Sequence, residues 1–264
     1  MTTYLEGIIS VRAAIEGGNR EIKKVYIDLD KYKKRDRKIT GFLSFIKAQN
    51  VNFELCERSF IDGLLSKDNI ERSGKTHGGV IAEAGERTYM TTQELLSQCV
   101  EEKGFLIYLD GVEDPYNLGY SYRALHASGA SGIILPDRYR DNAASTLARS
   151  SAGASELLPT ALFHNPESVD SRMKFISEIK KNGIALCCAA VSQNSMSLFE
   201  YDGTFPLILF IGGEKRGISP EFIDRADYIL HIPYATPDIR YSLPTATVAA
   251  LSGFHLHNIK KPTE

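Results

Sequence analysis

The chain has 264 residues, of which 43% are hydrophobic and 24% charged, a composition that is typical of folded proteins and argues against long disordered regions. Its formal net charge of −2 excludes a uniformly basic nucleic-acid-binding protein, so an RNA-binding protein of this charge must concentrate its basic residues locally. Residues 1–90 contain 16 basic and 13 acidic side chains, and the rest contains 15 and 20, so the excess of positive charge lies in the N-terminal third.

The N-terminal third alternates between helical and strand patterns, which favours an α/β domain over a helical bundle. Apolar residues spaced three and four apart indicate helices, and short alternating runs indicate strands. The predicted helices are Glu6–Glu16, Ile39–Gln49 and a short one near Phe60–Leu65, and the predicted strands are Lys24–Leu29, Val51–Leu55 and Val80–Ala82.

A polar, acidic stretch separates this region from a second series of elements. Near-continuous apolar strands alternate there with helices, which is typical of a parallel sheet that is buried on both faces. The predicted strands are Phe105–Leu109, Gly132–Leu135, Ile184–Ala190, Pro206–Ile211 and Tyr228–Ile232, and the predicted helices are Leu118–Ser128, Ala143–Ala148, Pro166–Lys181, Pro220–Ala226 and Thr245–Ile259. We therefore predict a small α/β domain over 1–88, a linker over 89–103 and a parallel α/β domain over 104–264.

Cysteine usage and hydropathy argue against several classes of protein. Cys56, Cys99, Cys187 and Cys188 show no C-x-x-C spacing, so neither a zinc ribbon nor a thioredoxin-type redox pair is expected. Cys187 and Cys188 lie in an apolar run, where the favoured interpretation is a pair of small buried hydrophobic residues. The first ten residues lack a signal-peptide pattern, and no apolar run is long enough to span a membrane, so we expect a cytoplasmic protein.

Three segments rich in glycine and polar residues follow the ends of predicted strands. In open parallel sheets, ligands bind beyond the carboxyl ends of the strands, where backbone N–H groups and helix N-termini converge. The loop Gly212–Gly217 reads G-G-E-K-R-G and matches neither the dinucleotide nor the phosphate-loop fingerprint, so a Rossmann dehydrogenase or an NTPase is disfavoured. The three segments are Leu109–Arg123, Phe210–Pro220, and Ile232–Tyr234 continued by Tyr241–Ala250.

The order and separation of these segments resemble the three motifs of the SpoU (TrmH) family of RNA ribose 2′-O-methyltransferases. The match spans about Phe105–Ile259, and a set of three linked motifs is more specific than any one of them. The helix over Gly7–Ala14 and the segment His77–Glu83 also resemble that family's substrate-binding domain. The residues that carry the motif resemblance are Asp114–Gly119 with Arg123 for motif 1, Gly212–Gly217 with Ile232-Pro233 for motif 2, and Ser242-Leu243 for motif 3.

The resemblance implies an α/β catalytic domain of the SPOUT type, tied in a deep trefoil knot, one of the rare exceptions to the rule that chains do not thread themselves. It implies that 1–88 is a small ribosomal-protein-like RNA-binding domain. It further implies S-adenosylmethionine as the cofactor, RNA as the substrate and a homodimer, without a metal or a membrane. The implied activity is 2′-O-methylation of a ribose, and ribosomal RNA is favoured over transfer RNA.

Four residues are implied as catalytic by the motifs: Asn117, Arg123, Glu214 and Ser242. Asn117 would orient Arg123 or the substrate, and Glu214 would close a hydrogen-bond network among the motifs. A helix N-cap is the structural alternative for Asn117 and for Ser242, and a solvated surface position is the alternative for Arg123. Because a guanidinium stays protonated at neutral pH, we assign Arg123 to clamping a phosphate beside the target ribose and stabilising the developing alkoxide.

Residues at the ends of strands are implied in cofactor binding. Backbone groups of Gly212, Ile232 and Leu243 would contact the adenine and ribose of the cofactor. A glycine allows the backbone to approach a ligand closely, although a tight turn needs glycine equally. The implied cofactor-binding residues are Ala189, Ala190, Gly212, Gly217, Ile232 and Leu243.

The chain departs from the family pattern at two positions. Gly213 stands where motif 2 commonly has Asn, and Pro244 stands where motif 3 commonly has Asn. Proline lacks both a side-chain amide and a backbone N–H, so Pro244 cannot replace what that Asn does. This leaves open the alternative of a non-catalytic RNA-binding homologue that keeps the knotted fold. A small-molecule α/β enzyme with a coincidental set of motifs is a weaker alternative.

A basic segment lies in the N-terminal third, at Lys31–Lys38. A solvated loop is one interpretation of such a run, and contact with a phosphate backbone, which gives affinity without sequence choice, is the other. Its presence argues against the small-molecule enzyme. The six basic residues that we predict to bind RNA are Lys31, Lys33, Lys34, Arg35, Arg37 and Lys38.

Overall fold

The structure is a computed structural model that describes residues 2–66, 77–112, 114–139, 144–213, 217–236 and 241–260. The chain divides into two compact units. Unit 1 comprises Met1–Thr88 and Ala143–Leu157, and unit 2 comprises Tyr89–Asn142 and Leu158–Glu264.

The strands, in chain order, are β1 (Thr3–Glu6), β2 (Ile22–Asp28), β3 (Phe53–Cys56), β4 (Val80–Ala84), β5 (Phe105–Leu109), β6 (Gly132–Pro136), β7 (Thr160–Phe163), β8 (Ala185–Ala189), β9 (Met196–Ser197), β10 (Leu207–Ile211) and β11 (Tyr228–His231). The α-helices are α1 (Ile8–Gly17), α2 (Leu29–Lys33), α3 (Arg37–Ala48), α4 (Arg58–Ser66), α5 (Thr92–Glu101), α6 (Pro115–Ala127), α7 (Ala144–Ser150), α8 (Ala154–Leu157), α9 (Val169–Lys181), α10 (Pro220–Asp224) and α11 (Thr245–Ile259).

Unit 1 is built on a mixed sheet with the strand order β1-β4-β2-β3, in which only the β2–β3 pair is parallel. Alternate residues of a strand point to opposite faces, so β2 supplies both faces of the sheet with apolar side chains. Val25 and Ile27 pack with residues of α1 and α3, whereas Tyr26 packs with Ile61 and Leu65 of α4. The sheet is thereby covered by helices on both sides.

A segment from the middle of the chain completes unit 1. Sequence analysis placed Ala143–Leu157 in the domain 104–264, but this segment groups with the N-terminal residues. The reason is packing: Ala148 is fully buried in the apolar core of unit 1, and its carbonyl accepts a hydrogen bond from the Ser10 hydroxyl. Glu156, on α8, forms an ion pair with Arg20 in which both side chains are at most 5% exposed.

Unit 2 is built on a seven-stranded sheet with the order β7-β6-β5-β10-β8-β11-β9, and every pair of neighbours is parallel. One face carries an aromatic cluster centred on Phe210, whose ring lies 4.3 Å from that of Phe222 and 4.8 Å from that of Tyr108. Helices α5, α9 and α10 contribute to that face. The predicted α/β class with a buried parallel sheet is confirmed, whereas the trefoil knot stays a prediction.

Helix α5 lies where the sequence predicted a linker over 89–103. It begins at a capping box, in which the Thr91 hydroxyl accepts from the Glu94 N–H while the Glu94 carboxylate accepts from the Thr91 N–H. Leu95, Leu96 and Cys99 lie on one side of the helix and are fully buried in the core of unit 2. The acidic and polar residues that suggested a linker therefore form the exposed side of a packed helix.

Three short strands were missed by the sequence analysis: β1 and β7 have four residues each, and β9 has two. β1 lies directly before α1 and includes Glu6, which the helical pattern had absorbed. β7 follows two short helices and contains Thr160, whose polar side chain weakens the apolar strand pattern. None of the helices in the described ranges has the length and apolar character needed to cross a bilayer.

The Arg20–Glu156 pair generates a stability prediction for unit 1. Arg20→Met leaves the Glu156 carboxylate buried without its partner, which costs about 3–5 kcal/mol of unfolding free energy. Arg12→Met, which breaks the exposed Arg12–Glu16 pair, is the matched control and costs only about 0–1 kcal/mol. Urea unfolding followed by circular dichroism measures both, and equal losses in the two variants would contradict the assignment.

The cysteines generate a prediction about thiol reactivity. Burial raises the pKa of the Cys99, Cys187 and Cys188 thiols to about 12, and it also raises the pKa of the Cys56 thiol. The interpretation of Cys187 and Cys188 as buried hydrophobic residues is confirmed. Because the thiolate is the reactive form, we expect no rapid reaction with an aromatic disulfide reagent near pH ~8 in the folded protein, and reaction of all 4 cysteines in denaturant. A rapidly reacting thiol in the folded protein would overturn this.

Candidate ligand cavity

A cavity of about 360 Å³ lies in unit 2, where the strands β8, β10 and β11 end. Parallel strands deliver their carboxyl ends to the same edge of a sheet, so residues that are distant in the sequence meet there. The Ala190 N–H donates to the Leu230 carbonyl across two of these strands. The cavity walls are largely apolar, and the lining residues include Leu198, Ile218 and Val248.

Seven of the predicted site residues line this one cavity. Ser242 is the one predicted catalytic residue among them. Asn117 and Arg123 do not line it, and Glu214 lies outside the described residues. The six predicted cofactor-binding residues that line it are Ala189, Ala190, Gly212, Gly217, Ile232 and Leu243.

Two glycines after β10 form the tightest part of the cavity wall. A Cβ atom on Gly212 would lie 2.9 Å from the backbone nitrogen of Ile218, because the loop turns back against this position. A Cβ on Gly213 would lie 2.7 Å from the Cα of Gly111, the second residue after β5. Real Cβ atoms essentially never approach that closely. Both positions therefore require glycine for space, irrespective of any ligand.

Hydrogen bonds connect the segment before α11 to the other strand ends. The Leu243 N–H donates to the Tyr234 hydroxyl at 3.1 Å, so Tyr234 ties the residues after β11 to the residues before α11. The Thr245 hydroxyl donates to the Gly212 carbonyl at 3.3 Å. These two bonds hold the backbone around Leu243 against the loop that follows β10.

His231 is a cavity residue that the sequence analysis missed. It is the last residue of β11 and lines the cavity. Its Nδ1 atom is shielded from solvent and has no hydrogen-bond partner within the part of the chain that the structure describes. A buried polar atom without a partner is costly, which makes His231 a candidate for contact with a bound ligand. The position directly before Ile232-Pro233 was the only available sequence signal.

The motif 1 residues lie on helix α6. The Asp114 carboxylate caps the helix by accepting from the N–H groups of Tyr116 and Asn117, so the N-cap alternative for Asn117 is wrong. The backbone carbonyl of Asn117 accepts a hydrogen bond from the Ser121 hydroxyl at 2.8 Å. Arg123 is exposed, and within the described residues its guanidinium has no ion pair.

A second polar cluster follows the strands β5 and β6. The Arg138 guanidinium binds the Asp110 carboxylate at 2.7 Å and the Glu167 carboxylate at 3.0 Å. Burial raises the pKa of the Asp110 carboxyl, and the opposing effect of Arg138 is the smaller one. One guanidinium thus faces two carboxylates, and these three residues are absent from the wall of the 360 Å³ cavity.

The basic segment of unit 1 is divided by the structure. Lys31 donates to the Gly78 carbonyl at 2.7 Å and so has a structural partner. Lys34 and Lys38 are exposed. The other three cations line a pocket of about 550 Å³, which we call the basic pocket; its lining residues are Tyr32, Lys33, Arg35, Arg37, Thr40 and Gly41.

Comparisons with known proteins match the part of the chain that contains these motif residues. The sequence model of the SpoU rRNA methylase family matches residues 104–242, more than half of the chain. A Staphylococcus aureus (strain COL) chain assigned to the TrmH family of tRNA/rRNA methyltransferases is 30% identical over 233 residues, covering 88% of this chain and 86% of the relative. The chain belongs to this family. The SpoU/TrmH recognition made from the sequence motifs is confirmed, and with it the class of methyltransferase.

Similarity to SpoU-family proteins extends along the whole chain. YacO of Bacillus subtilis, assigned to the same TrmH family, is 26% identical over 266 residues and covers 99% of both chains. The AdoMet-bound rRNA methyltransferase structure from Sinorhizobium meliloti superposes with a TM-score of 0.72, at 21% identity, over 97% of this chain and 87% of that one. At that identity the superposition establishes the SPOUT-type fold.

The two departures from the SpoU pattern have different structural consequences. Gly213 is explained by its close approach to Gly111, which leaves no room for a side chain. Pro244 is the N-cap residue of α11 and makes no side-chain cap, so the N-cap alternative for Ser242 is wrong. Among the residues that the structure describes, no cluster of His, Cys, Asp and Glu could hold a metal ion.

The glycine contacts generate a prediction for this SpoU-family cavity. Gly213→Ala forces the Gly111 backbone to move, which lowers stability by about 1–3 kcal/mol and weakens S-adenosylhomocysteine binding by about tenfold or more. Gly63→Ala is the control, because Gly63 lies in α4 of unit 1, outside the cavity, and a Cβ there meets nothing within 4 Å. We expect its binding of S-adenosylhomocysteine to stay within about twofold of wild type. Calorimetric titration and thermal unfolding measure both effects, and a normal affinity in Gly213→Ala would contradict the steric argument.

Proposed function

We propose that this chain transfers a methyl group from S-adenosylmethionine to a ribose 2′-hydroxyl in RNA, with ribosomal RNA as the substrate. The observation that supports this most directly is the convergence of residues from motifs 2 and 3 on one cavity at the carboxyl edge of the parallel sheet. Those residues were assigned to the cofactor from the family motifs alone. The proposal includes the trefoil knot that the family implies.

The residues that line the cavity suit S-adenosylmethionine in their chemistry. The apolar walls fit an adenine ring, and the strand ends offer backbone N–H and carbonyl groups for the polar edges of the adenosine. Gly212, directly after β10, lines the cavity with its backbone. The Nδ1 atom of His231, which has no hydrogen-bond partner among the described residues, would bond to a polar atom of the cofactor. Ala190, Gly212, Ile232 and Leu243 would hold the adenosine. The cofactor, when bound, supplies a methyl group on a positively charged sulfur.

Arg123 is assigned to the substrate rather than to the cofactor. It lies outside the cavity, it is exposed, and its guanidinium has no ion pair in the described part of the chain. A planar guanidinium binds a phosphate in a bidentate manner, and it stabilises negative charge that develops on a nearby oxygen. Arg123 would therefore grip the phosphate beside the target ribose, and its positive charge would favour loss of the 2′-hydroxyl proton to solvent.

The choice of ribosomal RNA is supported by the relatives. The Sinorhizobium meliloti structure is named an rRNA methyltransferase, and the Staphylococcus aureus and Bacillus subtilis proteins carry the joint name tRNA/rRNA methyltransferase. The three cations that line the basic pocket would supply phosphate contacts that do not depend on the RNA sequence.

A homodimer is part of the proposal. Helices α6 and α11 pack against each other in unit 2, and each presents two exposed apolar side chains one turn apart. These are Tyr116 and Tyr120 on α6, and Leu251 and Phe254 on α11, all between 37% and 51% exposed. A second copy of this chain is the occupant that we assign to this surface, because clustered exposed aromatic and aliphatic residues mark protein interfaces.

The activity test uses RNA transcribed in vitro and S-adenosylmethionine with a radiolabelled methyl group. A 2′-O-methyl group blocks alkaline cleavage of the adjacent phosphodiester, so label should appear in alkali-resistant dinucleotides with ribosomal RNA and not with transfer RNA. We expect Arg123→Lys to bind S-adenosylhomocysteine as wild type does and to methylate about 100- to 1000-fold more slowly, because the bidentate fork is lost.

Arg225→Lys is the control for this experiment, since Arg225 is an exposed arginine of the same unit. Label in mononucleotides would contradict ribose methylation, and label with transfer RNA would contradict the choice of substrate. Unchanged methylation by Arg123→Lys would overturn its assigned role. If wild type binds the cofactor and RNA but transfers no methyl group, and Pro244→Asn transfers it, the non-catalytic RNA-binding homologue would be favoured.

A further inference from the structure

The basic pocket of unit 1 is lined by three cations. Lys33, Arg35 and Arg37 are exposed, and none of them forms an ion pair within the described ranges. The acidic residue between Arg35 and Arg37, Asp36, caps α3: its carboxylate accepts from the N–H groups of Lys38 and Ile39. The positive charge of the pocket is therefore available to an anionic ligand.

Tyr32 distinguishes this pocket from a plain cationic surface. Its ring lines the pocket and is 39% exposed, and it has no aromatic or cationic partner in the part of the chain described. Other aromatic rings of unit 1 have such partners. Arg12 lies 4.6 Å from the Phe45 ring centroid, and Phe60 packs against Tyr26 at 5.7 Å.

The side of the pocket formed by α3 also leaves space for a planar ligand. Gly41 lines the pocket in the interior of α3, where glycine costs about 0.5–1 kcal/mol relative to alanine. A Cβ there would meet nothing within 4 Å, so no packing neighbour requires this glycine. A small residue that no described neighbour requires, beside the ring of Tyr32 and the cations of the pocket, keeps the pocket open.

We propose that the basic pocket binds a nucleotide of single-stranded RNA, with the base stacked on Tyr32 and the adjoining phosphates held by Lys33, Arg35 and Arg37. This inference rests on the proposed RNA substrate, and it adds that the nucleotide bound in the pocket is unpaired. Unpaired bases expose a face to an aromatic side chain, whereas the bases of a duplex are stacked on each other. Phosphate contacts alone would not need Tyr32.

The experiment compares three fluorescently labelled RNA oligomers of equal length by anisotropy: a single strand, an abasic ribose-phosphate chain and a duplex. Wild type should bind the single strand about 5- to 100-fold more tightly than the abasic chain. Tyr32→Ala should lose that preference, while Tyr32→Phe retains it because the stacking face is unchanged. Gly41→Leu should also lose it, since a larger side chain occupies the pocket without a clash and favours the helix.

Two control variants separate the pocket from the rest of unit 1. Phe60→Leu removes an exposed aromatic ring outside the pocket, and Lys47→Gln removes an exposed cation outside it. Both should bind the three oligomers as wild type does. The combined change of Lys33, Arg35 and Arg37 to Gln should weaken binding to the single strand and the abasic chain alike and flatten the salt dependence.

The experiment separates failure of the nucleotide pocket from failure of the proposed RNA substrate. Equal binding of the single strand by wild type and Tyr32→Ala, or tighter binding of the duplex, would overturn the nucleotide pocket and leave RNA as a substrate. Binding of none of the oligomers, with S-adenosylhomocysteine still bound, would overturn RNA recognition itself. Thermal unfolding midpoints confirm that each variant is folded.

Discussion

The site depends on one steric constraint: the parallel strands β5 and β10 lie side by side, so their continuing backbones must pass each other at the carboxyl edge. Gly213 passes so close to Gly111 that no Cβ fits between them. This contact determines the course of the chain after β10, and the neighbouring Gly212 then accepts a hydrogen bond from Thr245 at the start of α11. Gly212, Gly213 and Thr245 all line the cavity, so this contact positions part of its wall.

The hydrogen bond between Leu243 and Tyr234 holds the backbone next to Pro244, which replaces the asparagine common in motif 3. A proline at the N-cap of α11 supplies no side-chain cap and no N–H. The preceding N–H, that of Leu243, is instead held by a hydroxyl from the residues after β11. The backbone position that the family motif assigns to the cofactor is thereby positioned without an asparagine.

Unit 1 owes its integrity to residues that are distant in the chain. Its core includes Ala148, and its most buried ion pair joins Arg20 to Glu156, on the connection between the sixth and seventh strands. A buried carboxylate is tolerated only with a close counter-charge, so the N-terminal residues do not form the complete unit by themselves. The excess of positive charge belongs to the first ninety residues alone, whereas the fold of unit 1 also needs the segment Ala143–Leu157.

The sequence alone determined the α/β class, because strand and helix periodicities are local patterns, and its three motifs indicated the family. Through that resemblance it also indicated six cofactor-binding residues that line one cavity: Ala189, Ala190, Gly212, Gly217, Ile232 and Leu243. It could not reveal that Leu95, Leu96 and Cys99 bury one side of a helix in a stretch that its polar composition marks as a linker. Nor could it reveal that, among the residues the structure describes, the Nδ1 atom of His231 has no hydrogen-bond partner and the ring of Tyr32 has no aromatic or cationic partner. Those features depend on which side chains from remote parts of the chain come into contact, and only the tertiary structure decides that.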